Sequence, residues 1–98
     1  RIESYDDVLN AIPVRVFDRA RESAIIADRR LAAGKIGPLL GLPMTVKEST
    51  QVEGLPQTAG LEAFSDYQPA FDGLCASRTI DAGAVLLGKT NIPAALSD

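Results

Sequence analysis

The chain has 98 residues, 46% of them hydrophobic, and a formal net charge of -3 at pH 7 with a pI near 4.8. This length suits one small domain, or part of a larger one, with a real hydrophobic core, and the acidic balance without a basic stripe argues against binding to a phosphate backbone. No apolar run approaches membrane-spanning length, the single Cys75 excludes an internal disulfide, and the lack of histidine excludes a His-based triad or His metal site within these residues.

Two helices are predicted before Gly34. The segment 4–7 (SYDD) resembles a capping box and would begin a short helix that carries Val8 and Leu9. Pro13 would begin a second helix, closed by Gly34 as its C-terminal cap. Apolar residues spaced by three and four positions predict one buried face on this helix: Phe17, Ala20, Ala24, Ala27 and Leu31. A helix packed on a sheet explains the pattern better than a partner-binding helix does.

Residues 41–48 predict a short strand that carries Lys47 to its carboxyl end. Alternation puts Met44 and Val46 on one face and Thr45 and Lys47 on the other. Ligands of open α/β sheets are handled at the carboxyl ends of the strands. The local pattern alone also fits an ordinary exposed lysine at a strand end.

A second strand is predicted after a long connection and a helix. Residues 49–71 are broken by glycine and proline, and a connection of this length is usually functional or packed over something. Asp72 would cap a helix over residues 73–82, and the continuously apolar residues 84–88 are typical of a strand buried on both faces. Asn91 would then cap another helix. Strand, helix and strand predict a right-handed βαβ unit.

The segment 83–90 (GAVLLGKT) matches the phosphate-binding-loop pattern G-x-x-x-x-G-K-[ST] letter for letter. That pattern works because its four middle residues form an open loop whose amides wrap a phosphate. Here those residues have the sequence of a buried strand, whose amides are already paired, and residues 79–82 before them are predicted as helix rather than strand. We therefore reject nucleotide binding and expect Lys89 and Thr90 to shape a strand-to-helix turn.

The cysteine, two aromatic residues and the acids of the second half each have an ordinary structural explanation. Cys75 lies in an Ala-rich helical context, and we expect a small buried hydrophobe rather than a nucleophile. Tyr67 and Phe71 could line a pocket or simply pack a loop. The acids of the second half lack metal-loop spacing, and we expect most of them to be solvated. They are Glu48, Glu53, Glu62, Asp66, Asp72 and Asp81.

Three blocks occur in order at compatible spacing: 37–48 (GPLLGLPMTVKE), 54–60 (GLPQTAG) and 82–93 (AGAVLLGKTNIP). Together they resemble the N-terminal part of the amidase signature family, and the likeness runs from about Asn10 to the end of the chain. The resemblance implies an α/β fold: a fragment of the amidase α/β/α sandwich, with N-terminal helices followed by a βαβ unit that contributes two parallel strands to a larger mixed sheet. It also implies a single partial domain, residues 1–98, that stops before the family's Gly-Ser-rich segment.

The family resemblance implies a serine hydrolase with a Ser-cisSer-Lys triad, which converts a carboxamide to an acid and ammonia or an amine through an acyl-serine intermediate. Lys47 corresponds to the catalytic lysine, which acts as a neutral base; burial keeps a lysine neutral because its charged form loses solvation. Thr58, Ala59 and Gly60 would lie near the substrate cleft, with a structural turn as the alternative. The two serines belong to the Gly-Ser-rich segment, so no serine here is assigned as nucleophile and we expect the 98 residues alone to be inactive.

Two alternatives stay open. One is the amidotransferase A subunit that feeds ammonia to misacylated tRNA, which shares these blocks. The other is a stand-alone βαβ module that binds a small anion through Lys47 and Lys89. The amidase interpretation implies a small-molecule amide substrate, no cofactor or metal, no direct nucleic-acid or membrane partner and a cytoplasmic location, and it leaves open a homodimer of the full-length protein. Ser49 departs from the asparagine common in the family, which puts local hydrogen bonding there in question.

Overall fold

A computed structural model describes residues 1–97 as three α-helices and a three-stranded mixed sheet. Asp98, onto which the helix expected after Asn91 would extend, lies outside the described residues. The helices are α1 (Ile2–Leu9), α2 (Phe17–Ala32) and α3 (Leu74–Asp81), and the strands are β1 (Val14–Arg15), β2 (Pro43–Lys47) and β3 (Val85–Thr90). The strand order is β1-β3-β2, with β2 parallel and β1 antiparallel to β3. The α/β fold class, with two parallel strands in a mixed sheet, is confirmed.

Helices cover the central strand on two sides. Leu86 of β3 joins Val52 and Ala76 of α3 in the buried core, whereas the next residue, Leu87, lines a groove with Phe17 of α2. This follows from strand alternation, which sends successive side chains to opposite faces. None of the helices within residues 1–97 combines the length and the apolar character needed to cross a membrane.

The apolar face predicted for α2 is confirmed where it meets the sheet. Ala20 and Ala27 are buried, and small side chains there let the helix approach β3 closely. The expectation that Pro13 begins this helix is wrong, because residues 14 and 15 form β1 and pair with residues 89 and 88 of β3. Leu31, at the end of the predicted stripe, is 48% exposed.

Asp6 fastens α1 to the following strand. Its buried carboxylate accepts hydrogen bonds from the amides of Ala11 at 2.7 Å and Ile12 at 3.1 Å, and it forms an ion pair with Arg15 Nη2 at 2.8 Å. The hydrogen bond from the Arg15 guanidinium lowers the pKa of Asp6 below its ordinary value of 3.8. The expected capping box is wrong, since α1 begins before it and the carboxylate serves the chain after the helix.

Three predictions near α3 and the chain's end are also wrong. Asp72 does not cap α3, because its Oδ1 accepts the Glu53 amide at 2.8 Å instead. Cys75 is exposed, since Ala76 beside it is the residue that faces the core. Asn91 is followed by a short 3-10 turn rather than an α-helix, and its Oδ1 accepts the amide of the next residue at 2.9 Å.

Candidate active site

Lys47 is the last residue of β2, at the carboxyl end of the strand, where it pairs with Thr90 of the parallel neighbour. Val46 packs against the core, so alternation directs Lys47 to the opposite face. The side chain is exposed, and among residues 1–97 it has no hydrogen-bond or ion-pair partner. The position expected from the sequence is confirmed, but the described part of the chain does not supply the burial that a neutral lysine requires.

Glu48 follows Lys47 and is buried, which makes it an exception to the expectation that most acids of the second half are solvated. Its Oε1 accepts the Thr58 amide and its Oε2 accepts the Ala59 amide at 3.1 Å. Its own amide donates to Thr90 O at 3.1 Å, which continues the β2–β3 ladder by one residue. Glu48 therefore joins the strand tip to a loop ten residues further along the chain.

The loop that Glu48 holds contains the three residues predicted to lie near a substrate cleft. Ala59 has a φ of 52° and Gly60 a φ of 70°, and Thr58 Oγ1 accepts the Gly60 amide at 3.1 Å. A Cβ on Gly60 would lie 2.8 Å from Pro93 O, and Ala59 O accepts the amide of Ala95 at 2.8 Å. These contacts make the segment a tight structural turn, which the Glu48 carboxylate links to the end of β2, while its role in a cleft stays a prediction.

A mostly apolar hollow of about 250 Å³ adjoins this turn. Its lining residues are Gln57, Thr58, Ala59, Phe64 and Tyr67. Gln57 Nε2 donates to Ser49 O at 3.0 Å, whereas its buried Oε1 has no hydrogen-bond partner among residues 1–97. The expectation of a pocket at Tyr67 fits this hollow, but Phe71 is exposed and does not line it.

Lys89 is the buried lysine of the structure, and sequence reasoning missed it. It belongs to β3 rather than to a turn, its side chain is 0% exposed, and its Nζ donates to Pro56 O. Burial lowers the pKa of Lys89 below its ordinary 10.5, and the Glu48 carboxylate acts in the opposite direction. The ammonium of Lys89 is enclosed and donates to a carbonyl, so the alternative of a small-anion site built from Lys47 and Lys89 is wrong for Lys89. The apolar run that ends in Gly-Lys was the one available signal, because the strand ends two residues further along the chain than predicted, at Thr90 rather than at Gly88.

Packing accounts for both glycines of the phosphate-loop pattern. A Cβ on Gly83 would lie 2.7 Å from Leu40 Cα, and a Cβ on Gly88 would lie 2.1 Å from Val14 O. Residues 85–88 lie in a paired strand, as expected, and the strand continues to Thr90, so their amides serve the sheet rather than a phosphate.

The chain matches known proteins along nearly its whole length. The amidase family model matches residues 1–97, further toward the start than the likeness seen in the sequence. The A subunit of the glutamyl-tRNA(Gln) amidotransferase of Halorhodospira halophila is 37% identical over 92 residues, which are 94% of this chain and 19% of the relative.

Solved structures of amidases share the fold. The peptide amidase of Stenotrophomonas maltophilia superposes with a TM-score of 0.82 at 34% identity, over 93% of this chain and 19% of that one. A bacterial aryl acylamidase of the amidase signature family superposes with a TM-score of 0.85 at 32% identity, over 96% and 20% of the two chains. The chain thus spans about a fifth of the length of the relatives it matches. On the match of the family model and these similarities, it belongs to the amidase family.

Proposed function

We propose that this chain carries the general-base lysine, Lys47, of an enzyme that hydrolyses a carboxamide. The observation that carries the proposal is the position of Lys47 at the carboxyl end of a parallel strand, directly before Glu48, whose carboxylate anchors the turn at residues 58–60. Membership of the amidase family supports the reaction class. On this view residues 1–98 are part of an amidase domain whose Gly-Ser-rich segment follows in the same reading frame.

The proposed reaction proceeds through an acyl-serine. Neutral Lys47 accepts a proton from a bridging serine, which in turn accepts the proton of the nucleophilic serine as its oxygen attacks the amide carbon. Collapse of the tetrahedral intermediate releases ammonia or an amine, which leaves with the proton that the lysine and bridging serine return. Water then attacks the ester by the same route and releases the acid. Thr58, Ala59 and Gly60 would border the substrate at this tip.

Activity of the full gene product with a Lys47→Ala variant tests the proposal. The reading frame is first sequenced past Asp98, and the protein it encodes is assayed against simple aliphatic and aromatic carboxamides. Loss of a general base should lower kcat by roughly 10²- to 10⁴-fold. Lys35→Ala, which removes another exposed lysine, is the matched control and should leave the rate unchanged. The absence of a Gly-Ser-rich block, or a Lys47→Ala variant within threefold of the wild-type rate, would overturn the proposal.

A second candidate is the A subunit of a tRNA-dependent amidotransferase. The 37% identity to the Halorhodospira halophila protein favours it, because that protein is named for this reaction. In this case the ammonia that is released from the amide passes to a misacylated tRNA. Amide hydrolysis that depends on misacylated tRNA would support this candidate over a free-standing amidase, whereas tRNA-independent hydrolysis of simple amides would exclude it.

A further inference from the structure

The burial of Lys89 depends on an irregularity in the sheet. The pairing of β2 with β3 shifts by one residue between Met44 and Thr45, so that Leu87 has no partner in β2 and Lys89 lies opposite Val46. A one-residue shift moves the side chains that follow it to the other face of a strand. Without the shift, Lys89 would lie on the same face as Leu87. With it, the ammonium reaches the carbonyl of Pro56, which follows Leu55, a residue packed against the core cluster.

Lys89 and Glu48 hold the same loop by opposite charges. The ammonium of Lys89 donates to the Pro56 carbonyl, and the carboxylate of Glu48 accepts the Thr58 and Ala59 amides. The positive ammonium thus faces the negative carbonyl end of a peptide group, and the negative carboxylate faces the positive N–H ends of two others. Such charge-assisted hydrogen bonds are stronger than neutral ones. Within residues 1–97 the two side chains form no direct ion pair, so the loop backbone is what links them.

Both charged residues are also tied to the tip that carries Lys47. Glu48 follows Lys47 directly, and its amide donates to the carbonyl of Thr90, the residue after Lys89. The strand tip, the loop and the two buried charges therefore form one hydrogen-bonded unit. A change at either charge has to alter the loop or the tip, because a buried charge without a partner is costly.

We propose that Lys89 and Glu48 act as a pair of positioning residues for Lys47, holding the loop 56–59 against the tip of β2 and balancing each other's charge there. This inference rests on the proposed function, in which Lys47 is the base. It assigns no bond-making role to either residue. Within residues 1–97, the Glu48 carboxylate raises the pKa of Lys89 against the effect of burial, so removing Glu48 leaves the buried ammonium without that compensation.

The pH–rate profile separates this role from a purely structural one. Glu48→Gln leaves the Lys89 ammonium unbalanced, and this positive charge should move the acidic limb of the kcat profile to lower pH. Lys89→Met leaves the Glu48 carboxylate unbalanced, and this negative charge should move the limb to higher pH. Each shift should be on the order of 0.5 pH unit, and the double variant should return toward the wild-type profile. Glu53→Gln and Lys35→Met remove exposed charges and serve as matched controls. If the acidic limb moved in the same direction in Glu48→Gln and Lys89→Met, or if kcat changed without any movement of the limb, the pairing would be overturned.

Conservative variants keep the inference testable where a neutral variant does not fold. Glu48→Asp keeps the charge on a shorter side chain that cannot reach the amides of both Thr58 and Ala59. Since the loop is then held less firmly, kcat should fall by about tenfold or more while the acidic limb stays in place. Lys89→Arg keeps the positive charge and should likewise leave the limb in place. A moved limb in either variant would contradict the assignment.

Lys47→Ala is measured in the same series to keep the two proposals apart. If it retains activity, the proposed function itself fails. If it is inactive while the Glu48 and Lys89 variants behave like their controls, the function stands and the positioning pair fails.

Discussion

An alanine at position 88 should separate β1 from β3 and disturb the candidate site beyond it. The added Cβ would lie 2.1 Å from Val14 O and 3.0 Å from Ile12 Cγ2. Close carbon–oxygen contacts in proteins lie at about 3.3 Å or more, so the Val14 carbonyl has to move by roughly 1 Å. The nearby hydrogen bond from Val16 N to Leu87 O, 3.0 Å long, should break or lengthen with it.

The cost follows from these two effects. Overpacking a well-fitted site costs about 1–3 kcal/mol, and loss of one backbone hydrogen bond adds about 1 kcal/mol, so Gly88→Ala should lower the free energy of unfolding by about 2–4 kcal/mol. Gly54→Ala is the matched control, because Gly54 has no atom within 4 Å of the added Cβ and a φ of 69°. Its left-handed backbone alone should cost about 1–2 kcal/mol.

Urea denaturation of the gene product followed by circular dichroism measures both variants. For a two-state transition, a lower midpoint at an unchanged slope reports a loss of stability. The amide signal of Val16 in a ¹⁵N spectrum should shift in Gly88→Ala and stay in place in Gly54→Ala. Equal destabilisation by the two alanines would refute the argument, since it would show that the contact with Val14 adds nothing to the backbone effect.

Three further predictions concern buried groups. The free energy of unfolding should fall as the pH drops below 3.8 through the lowered pKa of Asp6, and an acid titration of Asp6→Asn should lack this contribution. The free energy of unfolding should rise with pH between the lowered pKa of folded Lys89 and 10.5, because in that window the unfolded chain binds a proton that the folded chain does not. Lys89→Met should abolish this slope when denaturation is measured at a series of alkaline pH values. Val52→Ala should cost about 2 kcal/mol in urea, whereas Val8→Ala, at a site 91% exposed, should cost less than about 0.5 kcal/mol.

The sequence predicted the elements whose patterns are long. The apolar face of α2, the alternation of β2 and the apolar run of β3 each extend over five or more residues, and all three elements are present. β1 escaped prediction because it has two residues, too few to show a period. Pro13 before it was also compatible with a helix start, and only the pairing with β3 decides between the two.

The polar contacts of the site could not be predicted in the same way. Asp6, Glu48 and Asp72 all bind backbone amides that lie 5 to 19 residues away in the chain. Local spacing rules describe side chains that bond to their own helix turn, so they assigned these acids to caps or to solvent. The fold has to be known before such distant amides can be matched to a carboxylate.

The burial of Lys89 shows how one backbone irregularity decides the chemistry of two lysines. Val46 pairs with Lys89, and Lys47 pairs with Thr90, one position further along. Since neighbouring residues of a strand point to opposite faces, the two ammonium groups lie on different sides of the sheet. The Lys89 ammonium is buried and donates a hydrogen bond to a carbonyl, whereas Lys47 is exposed at the end of β2. Lys47 and Lys89 therefore occupy neighbouring positions of the β2–β3 pair, yet their positive charges lie on opposite faces of the sheet. Lys89 does not occupy the face on which we propose that Lys47 acts as the base.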